Sequence, residues 1–397
     1  MRFRVMKRER KEKDPVPVDG KAKLLGRVLS ALALFSGLVG IISFVYYWDP
    51  TRTAIKRLQA SDPYLYEQID PKYLKVDPAS LIRISSPTDM AATRDALLGV
   101  IWNHGGLPLK HLPIVVRKNI QALSIEERCP VSISPQHRSL LLECSADLFS
   151  DGANLAGIDQ LVVEFQRTDQ SYRSNVSFFR PAKPNGRLIL YHHGYAGTHL
   201  DQWRHILRWV ERGYAVLGFD YMGYGGAGGG FHYNGAEYLR AVFYPVSVAL
   251  NYALSQKKYD DVAMIGLSAG GWVTAVYAAL DPRVKKSYPV SGVLPVYLRR
   301  KKERAEPQFF APMLEAATYL DMFVLATSPE GRRQVQFFNR FDRCCFNNRR
   351  GKLYEEEVAT VAHSLGGAFQ VVIDETHARH KISRWTFEEI LKDMELP

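Results

Sequence analysis

The chain has 397 residues, of which 46% are hydrophobic and 23% are charged. This is the usual mixture of a globular protein, and the length allows one large domain with additions or two ordinary domains. The composition excludes a disordered chain, a collagen-like repeat and a multi-span membrane protein. Four cysteines are too few for a small disulfide scaffold.

The net charge of +11 is unevenly distributed along the chain. Residues 1–27 contain ten Lys/Arg and four Asp/Glu, whereas residues 28–48 contain no charged residue. A large part of the basic charge therefore belongs to an N-terminal tail. This distribution does not indicate a nucleic-acid-binding domain, and no nucleic-acid partner is expected.

Residues 28–48 predict a transmembrane helix, preceded by a basic cytoplasmic tail over 1–27. The segment reads VLSALALFSGLVGIISFVYYW, and 21 residues suffice to cross the hydrocarbon core. It ends in Tyr46, Tyr47 and Trp48, where an aromatic belt belongs. A cleaved signal peptide is the alternative, but its apolar region is usually shorter and is followed by a small-residue cleavage site. A buried soluble helix would normally show a polar face.

The flanking charges predict the orientation of this helix. Ten Lys/Arg precede it, and only Arg52, Lys56 and Arg57 follow it closely. Because Lys and Arg are retained on the cytoplasmic side, the N-terminus should be cytoplasmic and the rest extracytoplasmic, in a periplasm or a lumen.

An extracytoplasmic compartment is oxidising, so it permits a disulfide between Cys129 and Cys144. Cys344 and Cys345 are adjacent in the sequence, and we do not expect them to bridge each other without strain.

Residues 49–155 contain no recognisable motif and are interpreted as a mainly helical preamble. Residues 88–105 predict a helix capped by Thr88 or Asp89, and 111–123 predict a second short helix. We expect this preamble to pack against the main domain or to line its entrance.

From about residue 156 to 397, short apolar runs alternate with helical patterns. This alternation of strand and helix patterns predicts an α/β domain with a mostly parallel central sheet flanked by helices. The predicted strands are 161–165, 175–179, 187–193, 214–220, 262–266, 284–292, 333–342 and 368–374. The predicted helices are 200–213, 236–256, 270–282 and 354–367, and a final helix begins after His380.

The sequence Gly266-Leu267-Ser268-Ala269-Gly270 matches the pattern G-x-S-x-G. It lies between a buried strand and a helix, which is the context that a nucleophile elbow requires. The glycines remove side chains that would collide in so tight a turn. Ser268 is therefore the predicted nucleophile, and the N–H of Ala269 is the first predicted oxyanion donor.

A second oxyanion donor is expected after an earlier strand. His193-Gly194 ends the strand 187–193, and Gly194 permits a close backbone approach. The N–H of Tyr195, which follows, is the second predicted donor.

From about residue 156 onward the chain resembles the α/β-hydrolase fold superfamily of serine hydrolases and esterases. The resemblance rests on His193-Gly194-Tyr195, on FDYMGYG (219–225) after the next strand, and on GLSAG. It implies hydrolysis of an ester or an amide without a cofactor. It does not identify the substrate, and it does not cover residues 49–155.

The superfamily orders its triad as serine, acid and histidine along the chain. Asp342 ends the strand 333–342 and is the predicted acid, with Asp374 as its competitor. His380 and His377 both follow the last strand. The longer reach and the following helix favour His380 as the base.

Three other patterns are interpreted without a functional role. Gly223–Gly228 matches G-x-G-x-x-G, but no helix follows at once, so a dinucleotide site is not expected. The histidines near 380 match no zinc-binding spacing, so no metal is predicted. The basic run 299–304 is interpreted as a solvated face that could otherwise touch anionic lipid headgroups.

Two classes of function remain open. The first is a membrane-anchored serine hydrolase that cleaves a carboxylic ester, or less readily a peptide or amide, through an acyl-enzyme. Its partners would be an acyl ester, which could be a lipid, and the membrane. The second is a non-catalytic binding module of the same fold. The sequence retains a candidate for every catalytic role, which favours the first.

Overall fold

A computed structural model describes most of the chain. The described residues are 19–58, 63–103, 105–120, 154–166, 171–195, 197–223 and 235–396. Cys129 and Cys144 lie outside these ranges, so their predicted disulfide stays a prediction.

The N-terminal helix α1 spans Asp19–Tyr47. Among the described residues it contains the one segment, Arg27–Tyr47, that is long and apolar enough to cross a bilayer. Its described side chains are exposed throughout. A membrane span and a signal sequence both have this length and composition. The helix belongs to a unit that ends at Arg52, and a second compact unit begins at Thr53.

The second unit is built on one mixed sheet, which has nine strands among the described residues. The strands are β1 Val115–Arg117, β2 Leu155–Gln166, β3 Ser171–Pro181, β4 Arg187–His192, β5 Ala215–Phe219, β6 Asp261–Leu267, β7 Lys286–Val290, β8 Arg333–Asn339 and β9 Ala368–Asp374.

The strand order is β1-β2-β3-β5-β4-β6-β7-β8-β9. The first three strands are antiparallel, and β3 also pairs antiparallel with β5. The strands from β5 to β9 across this order are parallel to one another. The predicted sheet is therefore confirmed as mostly parallel, with an antiparallel extension at one edge. All six parallel strands present their carboxyl ends at the same edge, where ligands of open α/β sheets bind.

Eleven α-helices are described. They are α1, α2 Asp49–Leu58, α3 Pro63–Tyr66, α4 Pro87–Trp102, α5 Trp203–Glu211, α6 Ala236–Gln256, α7 Ala269–Leu280, α8 Ala311–Ala316, α9 Tyr319–Ala326, α10 Glu355–Ser364 and α11 Arg384–Glu395.

Two hydrophobic clusters cover the two faces of the sheet. Strand β4 contributes to both clusters, because successive side chains of a strand point to opposite faces. Leu188 and Leu190 belong to one cluster, and Ile189 and Tyr191 belong to the other. Helices α4, α6, α7, α9 and α10 contribute to the first cluster. Helices α5 and α11 contribute to the second. A sheet covered on both faces explains why the strands read as continuous apolar runs.

The region before the sheet packs against helices α7 and α9 through charged side chains. Arg94 on α4 donates to the carbonyls of Ala279 and Leu325 at 3.0 and 3.2 Å. The backbone N–H and Nε of Arg83 both donate to the buried carboxylate of Asp321. Helix α4 thus has the predicted position against the main domain.

The helix predicted over 111–123 is wrong where the structure describes it. Val115 and Val116 instead lie in β1, where Val115 pairs with Val162 of β2. β-Branched residues pack well on a pleated strand and lose side-chain freedom in a helix, which explains the difference.

The run 299–304 is also not a uniformly solvated face. The side chains of Arg299 and Glu303 are buried. Glu303 pairs with Arg350 at 2.7 Å, and although burial would raise its pKa, the Arg350 and Arg300 guanidinium groups lower it to about 2. The basic run therefore contributes an ion pair to the interior.

Candidate active site

Ser268 lies in a sharp turn between β6, which ends at Leu267, and α7, which begins at Ala269. Its backbone has φ 59° and ψ −125°, a conformation that L-residues rarely adopt. The turn is held because the N–H of Ser268 donates to the carbonyl of Val290 at 2.9 Å, and its carbonyl accepts from Trp272 at 3.1 Å. Backbone strain of this kind is typical of functional sites.

The two glycines of the motif are required by close backbone packing. A Cβ at Gly266 would collide with the carbonyl oxygen of Gly270, and a Cβ at Gly270 would collide with that of His192. The turn is thus pressed against the end of β4.

Gly194 brings the loop after β4 onto the nucleophile. A Cβ at this position would lie 2.7 Å from Cβ of Ser268 and 3.3 Å from the backbone nitrogen of Ala269. Ala269 is the first residue of α7, so its N–H belongs to the helix start, where donors have no partner within the helix. Tyr195 follows Gly194 directly, and its ring is 4.5 Å from that of Tyr221, centroid to centroid.

Asp342 and His380 are in direct contact. Oδ2 of Asp342 lies 2.6 Å from Nδ1 of His380, and Oδ1 accepts the N–H of Cys344 at 2.8 Å. The Asp342 side chain is fully buried, and 23% of the His380 side chain is exposed. Nε2 of His380 makes no hydrogen bond among the described residues. An imidazole whose Nδ1 is bound to a carboxylate has Nε2 free to act as a base.

The loop with His380 is connected to Ser268 by an ordered chain of contacts. Nδ2 of Asn339, the last residue of β8, donates to the carbonyl of Lys381 at 2.9 Å. The N–H of Asn339 donates to Oγ of Ser291 at 3.2 Å. Next to Ser291, a Cβ at Gly292 would collide with the carbonyl oxygen of Ser268. The ends of β6, β7 and β8 therefore fix the two parts of the site relative to each other.

The competing pair, Asp374 and His377, has other partners. The carboxylate of Asp374 accepts from Thr376 and Thr386, and it lies 3.2 Å from Nε2 of His377. Nδ1 of His377 accepts the N–H of Arg379. Burial alone would raise the pKa of Asp374, but the contact with His377 and the hydrogen bonds from Ser383 and Thr376 lower it well below its usual range. The pair joins the end of β9 to the start of α11.

A second array of serine, histidine and aspartate was missed by the sequence analysis. Oγ of Ser177 lies 2.7 Å from Nε2 of His199, whose Nδ1 lies 2.7 Å from Oδ1 of Asp220. All three side chains are buried. Asp220 belongs to the FDYMGYG motif (219–225), and this motif is the sequence feature from which a role for Asp220 could have been inferred.

The second array lacks the features that surround Ser268. Ser177 lies within β3, where it pairs with Gly218 of β5, and it has neither an elbow backbone nor a helix start beside it. The N–H of His199 also donates to Asp220 at 2.7 Å. The array therefore fastens the segment after Gly194 to the end of β5.

Two buried histidines lie behind this loop. Burial lowers the pKa of His192 to about 4, and it also lowers the pKa of His193. His192 Nδ1 lies 2.8 Å from the carbonyl of His193, and the hydroxyl of Tyr191 lies 2.9 Å from Nδ1 of His193. Burial thus favours the neutral form of both imidazoles, which lie at the base of the loop after β4.

Cys344 and Cys345 form a disulfide, contrary to the expectation from their adjacency. In an extended strand adjacent side chains point to opposite faces. The loop after Asp342 instead turns tightly, with Phe346 and Asn348 at φ 51° and 71°. The sulfur atoms of Cys344 and Cys345 and a ring nitrogen of His380 all lie within 4.8 Å of one another.

Comparison with known proteins agrees with this topology. Residues 187–307 match the family profile described as alpha/beta hydrolase fold, and the chain has the α/β-hydrolase fold. A search of curated proteins finds no match to this sequence.

Several solved structures are similar to this chain. The acetyl xylan esterase from Paenibacillus sp. R4 is 16% identical over 80% of this chain and 98% of its own, with a TM-score of 0.48. Acetyl xylan esterase 1 from a Thermoanaerobacterium species is 15% identical over 80% and 96%, with a TM-score of 0.49. An esterase from Pyrococcus furiosus is 17% identical over 59% and 89%, with a TM-score of 0.43.

Proposed function

We propose that this protein is a membrane-anchored serine hydrolase that cleaves a carboxylic ester through an acyl-enzyme. The observation that carries the proposal is the combination of Ser268 in a strained elbow with the 2.6 Å contact between Asp342 and His380. The two features lie at the same edge of the sheet, and the fold's known chain order of serine, acid and histidine is kept.

In the proposed first step, Nε2 of His380 removes the proton from Oγ of Ser268 as the oxygen attacks the ester carbonyl. His380 then carries a positive charge. The buried carboxylate of Asp342 stabilises that charge and holds the imidazole in the tautomer whose Nδ1 carries hydrogen. Nε2 of His380 makes no hydrogen bond among the described residues, so it is available to accept this proton.

The tetrahedral intermediate has a negatively charged oxygen, which requires donors in place before the reaction. The N–H groups of Ala269 and Tyr195 are the proposed donors. The absence of a side chain at Gly194 supports this role, because the loop approaches Ser268 more closely than a Cβ would allow. His380 then protonates the departing alcohol.

In the second half of the reaction, His380 activates a water that attacks the acyl-enzyme. The acid is released and Ser268 regains its proton. Every step uses groups of this chain and water, and the proposed reaction calls for no cofactor.

We also propose that the chain is organised as a cytoplasmic tail over 1–27, an anchor over 28–48, a preamble over 49–155 and a catalytic domain over 156–397. The apolar segment of α1 and the excess of Lys and Arg before it support an N-terminus in the cytoplasm. The catalytic domain would then act outside the cytoplasm, close to a membrane surface.

Labelling with a fluorophosphonate probe tests the proposal, because the probe forms a bond only with an activated serine. We expect the full-length protein to be labelled once, at the peptide that contains Ser268. Ser268→Ala should abolish both labelling and turnover of a p-nitrophenyl ester. Ser177→Ala is the matched control, since it removes the serine of the buried array and should still be labelled.

Two results would contradict the proposal. The first is a folded wild-type protein that neither reacts with the probe nor hydrolyses activated esters, which is the behaviour of a non-catalytic module. The second is labelling that survives Ser268→Ala and disappears in Ser177→Ala. Parallel assays of a p-nitrophenyl ester and the matched p-nitroanilide would distinguish an esterase from an amidase.

A further inference from the structure

Cys344 and Cys345 lie beside the proposed base, in the loop that also contains the proposed acid. Cys344 is exposed, and its N–H donates to Oδ1 of Asp342 at 2.8 Å. Both sulfur atoms and a ring nitrogen of His380 lie within 4.8 Å of one another. The disulfide occupies the immediate surroundings of His380, yet the proposed hydrolysis uses neither sulfur.

We propose that Cys344, Cys345 and His380 form a redox-gated site for a thiophilic divalent metal such as Zn²⁺. In the disulfide state the site is closed and His380 is free for catalysis. In the dithiol state the two thiolates and Nε2 of His380 bind the metal, and the hydrolase loses its base. The inhibition rests on the proposed function, whereas the metal site itself does not.

The chemistry of the donor set fits this metal. Thiolate sulfur and imidazole nitrogen are the ligands that Zn²⁺ prefers, and three protein ligands leave a fourth position for water. The spacing also fits, since both sulfur atoms and a ring nitrogen of His380 lie within 4.8 Å of one another, and Nε2 is the nitrogen that the contact with Asp342 leaves available. The exposed Cys344 gives both a reductant and the ion a path to the site.

The position of Asp342 supports the same conclusion. Histidines that bind metals usually donate their other ring N–H to a carboxylate, which fixes the ring and strengthens the ligand. Asp342 makes this contact with Nδ1 of His380 and leaves Nε2 without a hydrogen bond among the described residues. The geometry that prepares His380 as a base therefore also prepares it as a ligand.

A thiol reductant supplies two electrons and two protons to the disulfide and is itself oxidised to a disulfide, which leaves Cys344 and Cys345 as thiols. The metal then displaces the two thiol protons and binds Nε2 of neutral His380. Removing the metal and reoxidising the thiols restores the starting state.

Cobalt provides a readout that does not depend on activity, since thiolate ligands give Co²⁺ an intense charge-transfer absorption. The test uses the full-length chain with Cys129→Ser and Cys144→Ser, so that only the adjacent pair can supply thiolates. The protein is reduced with a dithiol, desalted and titrated with Co²⁺ and then Zn²⁺. We expect one Co²⁺ per chain, displaced by Zn²⁺, and no binding to the unreduced protein.

Variants distinguish the residues that bind the metal from the residue that positions one of them. Cys344→Ser/Cys345→Ser should abolish the absorption, and His380→Ala should weaken the affinity. Asp342→Asn should weaken it about 10- to 100-fold, the usual effect of losing the carboxylate behind a metal-binding histidine. Ser268→Ala should bind Co²⁺ like the parent protein, so binding can be judged even if the protein proves not to be a hydrolase.

Activity gives the second readout. At a stoichiometric concentration of Zn²⁺, kcat/KM of the reduced protein should fall at least about tenfold and recover on chelation, since loss of the base disables the triad. The oxidised protein should change less than about twofold. The proposal is overturned if reduced protein shows no thiolate-to-cobalt absorption, if the absorption persists in Cys344→Ser/Cys345→Ser, or if Zn²⁺ inhibits both redox states equally.

Discussion

Oδ2 of Asp342 lies 2.6 Å from Nδ1 of His380, although the two residues are 38 positions apart in the sequence. Asp342 follows β8 and His380 follows β9, and these strands pair in parallel from Arg333 to Asn339. Parallel neighbours end at the same edge of the sheet, so the loops after them meet. The contact is therefore a consequence of strand pairing.

The first prediction concerns the base. His380→Ala should reduce kcat/KM on an activated ester about as much as Ser268→Ala, because the members of a triad act as a unit. His377→Ala should cost much less activity, since its nitrogens contact Asp374 and the N–H of Arg379. The measurement is kcat/KM with folding checked by circular dichroism. An inactive His377→Ala beside an active His380→Ala would show that the base is misassigned.

The second prediction concerns the acid. Asp342→Asn should keep the loop but favour the wrong imidazole tautomer, and we expect a rate loss near ~10⁴, as in other triads. Asp374→Asn is the matched control. It should act mainly on stability, because Asp374 accepts hydrogen bonds from Thr376 and Thr386. Rates and melting temperatures of both variants check this, and the reverse pattern would assign the acid to Asp374.

The third prediction concerns the oxyanion donors. Gly194→Ala should push the loop away from Ser268, because its Cβ would lie 2.7 Å from that of Ser268. The loss of one donor costs about 10²–10³ in kcat. Tyr195→Ala keeps the backbone N–H, so it should retain activity within about tenfold. Equal losses in the two variants would indicate that the Tyr195 ring, rather than its N–H, is the important group.

The fourth prediction concerns the pH dependence of stability. Burial lowers the pKa of His192 from 6.5 to about 4. Between these two pH values the unfolded chain binds a proton at His192 and the folded chain does not. Stability should be highest above pH 6.5, should fall as the pH decreases, and should level off below pH 4. The contribution of His192 between pH 7 and pH 5 is about 2 kcal/mol.

Urea unfolding at pH 7 and pH 5 measures this contribution. His192→Asn keeps a donor for the carbonyl of His193 but does not titrate, so the difference between the two pH values should shrink. His363→Asn, at an exposed position of α10, should leave the difference unchanged. A pH dependence that is the same in His192→Asn as in the wild type would contradict the prediction.

The fifth prediction concerns the topology of the chain. Because Lys and Arg are concentrated before residue 28, a phosphatase reporter fused after Pro397 should be active, as it is only outside the cytoplasm. The mature protein should keep its N-terminal residues in intact mass measurements. A reporter active only in the cytoplasm would reverse the orientation, and a mature chain lacking residues 1–48 would show a cleaved signal sequence.

Much of the fold could be predicted because its signals are local. Helix α6 and strand β9 have the predicted bounds, 236–256 and 368–374, since periodicity and apolar runs report directly on burial. The sequence predicts a helix where β1 lies, because the pairing of β1 with β2 is not visible in a three-residue run. The buried ion pair of Glu303 with Arg350 was likewise not predicted, since its partners are 47 residues apart.

The sequence by itself determined the strand–turn–helix motif around Ser268 and the apolar N-terminal segment, because each is a contiguous pattern with a local physical cause. Only the tertiary structure decided which carboxylate contacts His380, since Asp342 and Asp374 are equally acidic in sequence and differ in what surrounds them. It alone joined Ser177 to His199 and Asp220, and it turned the loop so that Cys344 meets Cys345. These contacts depend on which strands pair and how loops turn, and neighbouring residues do not specify either.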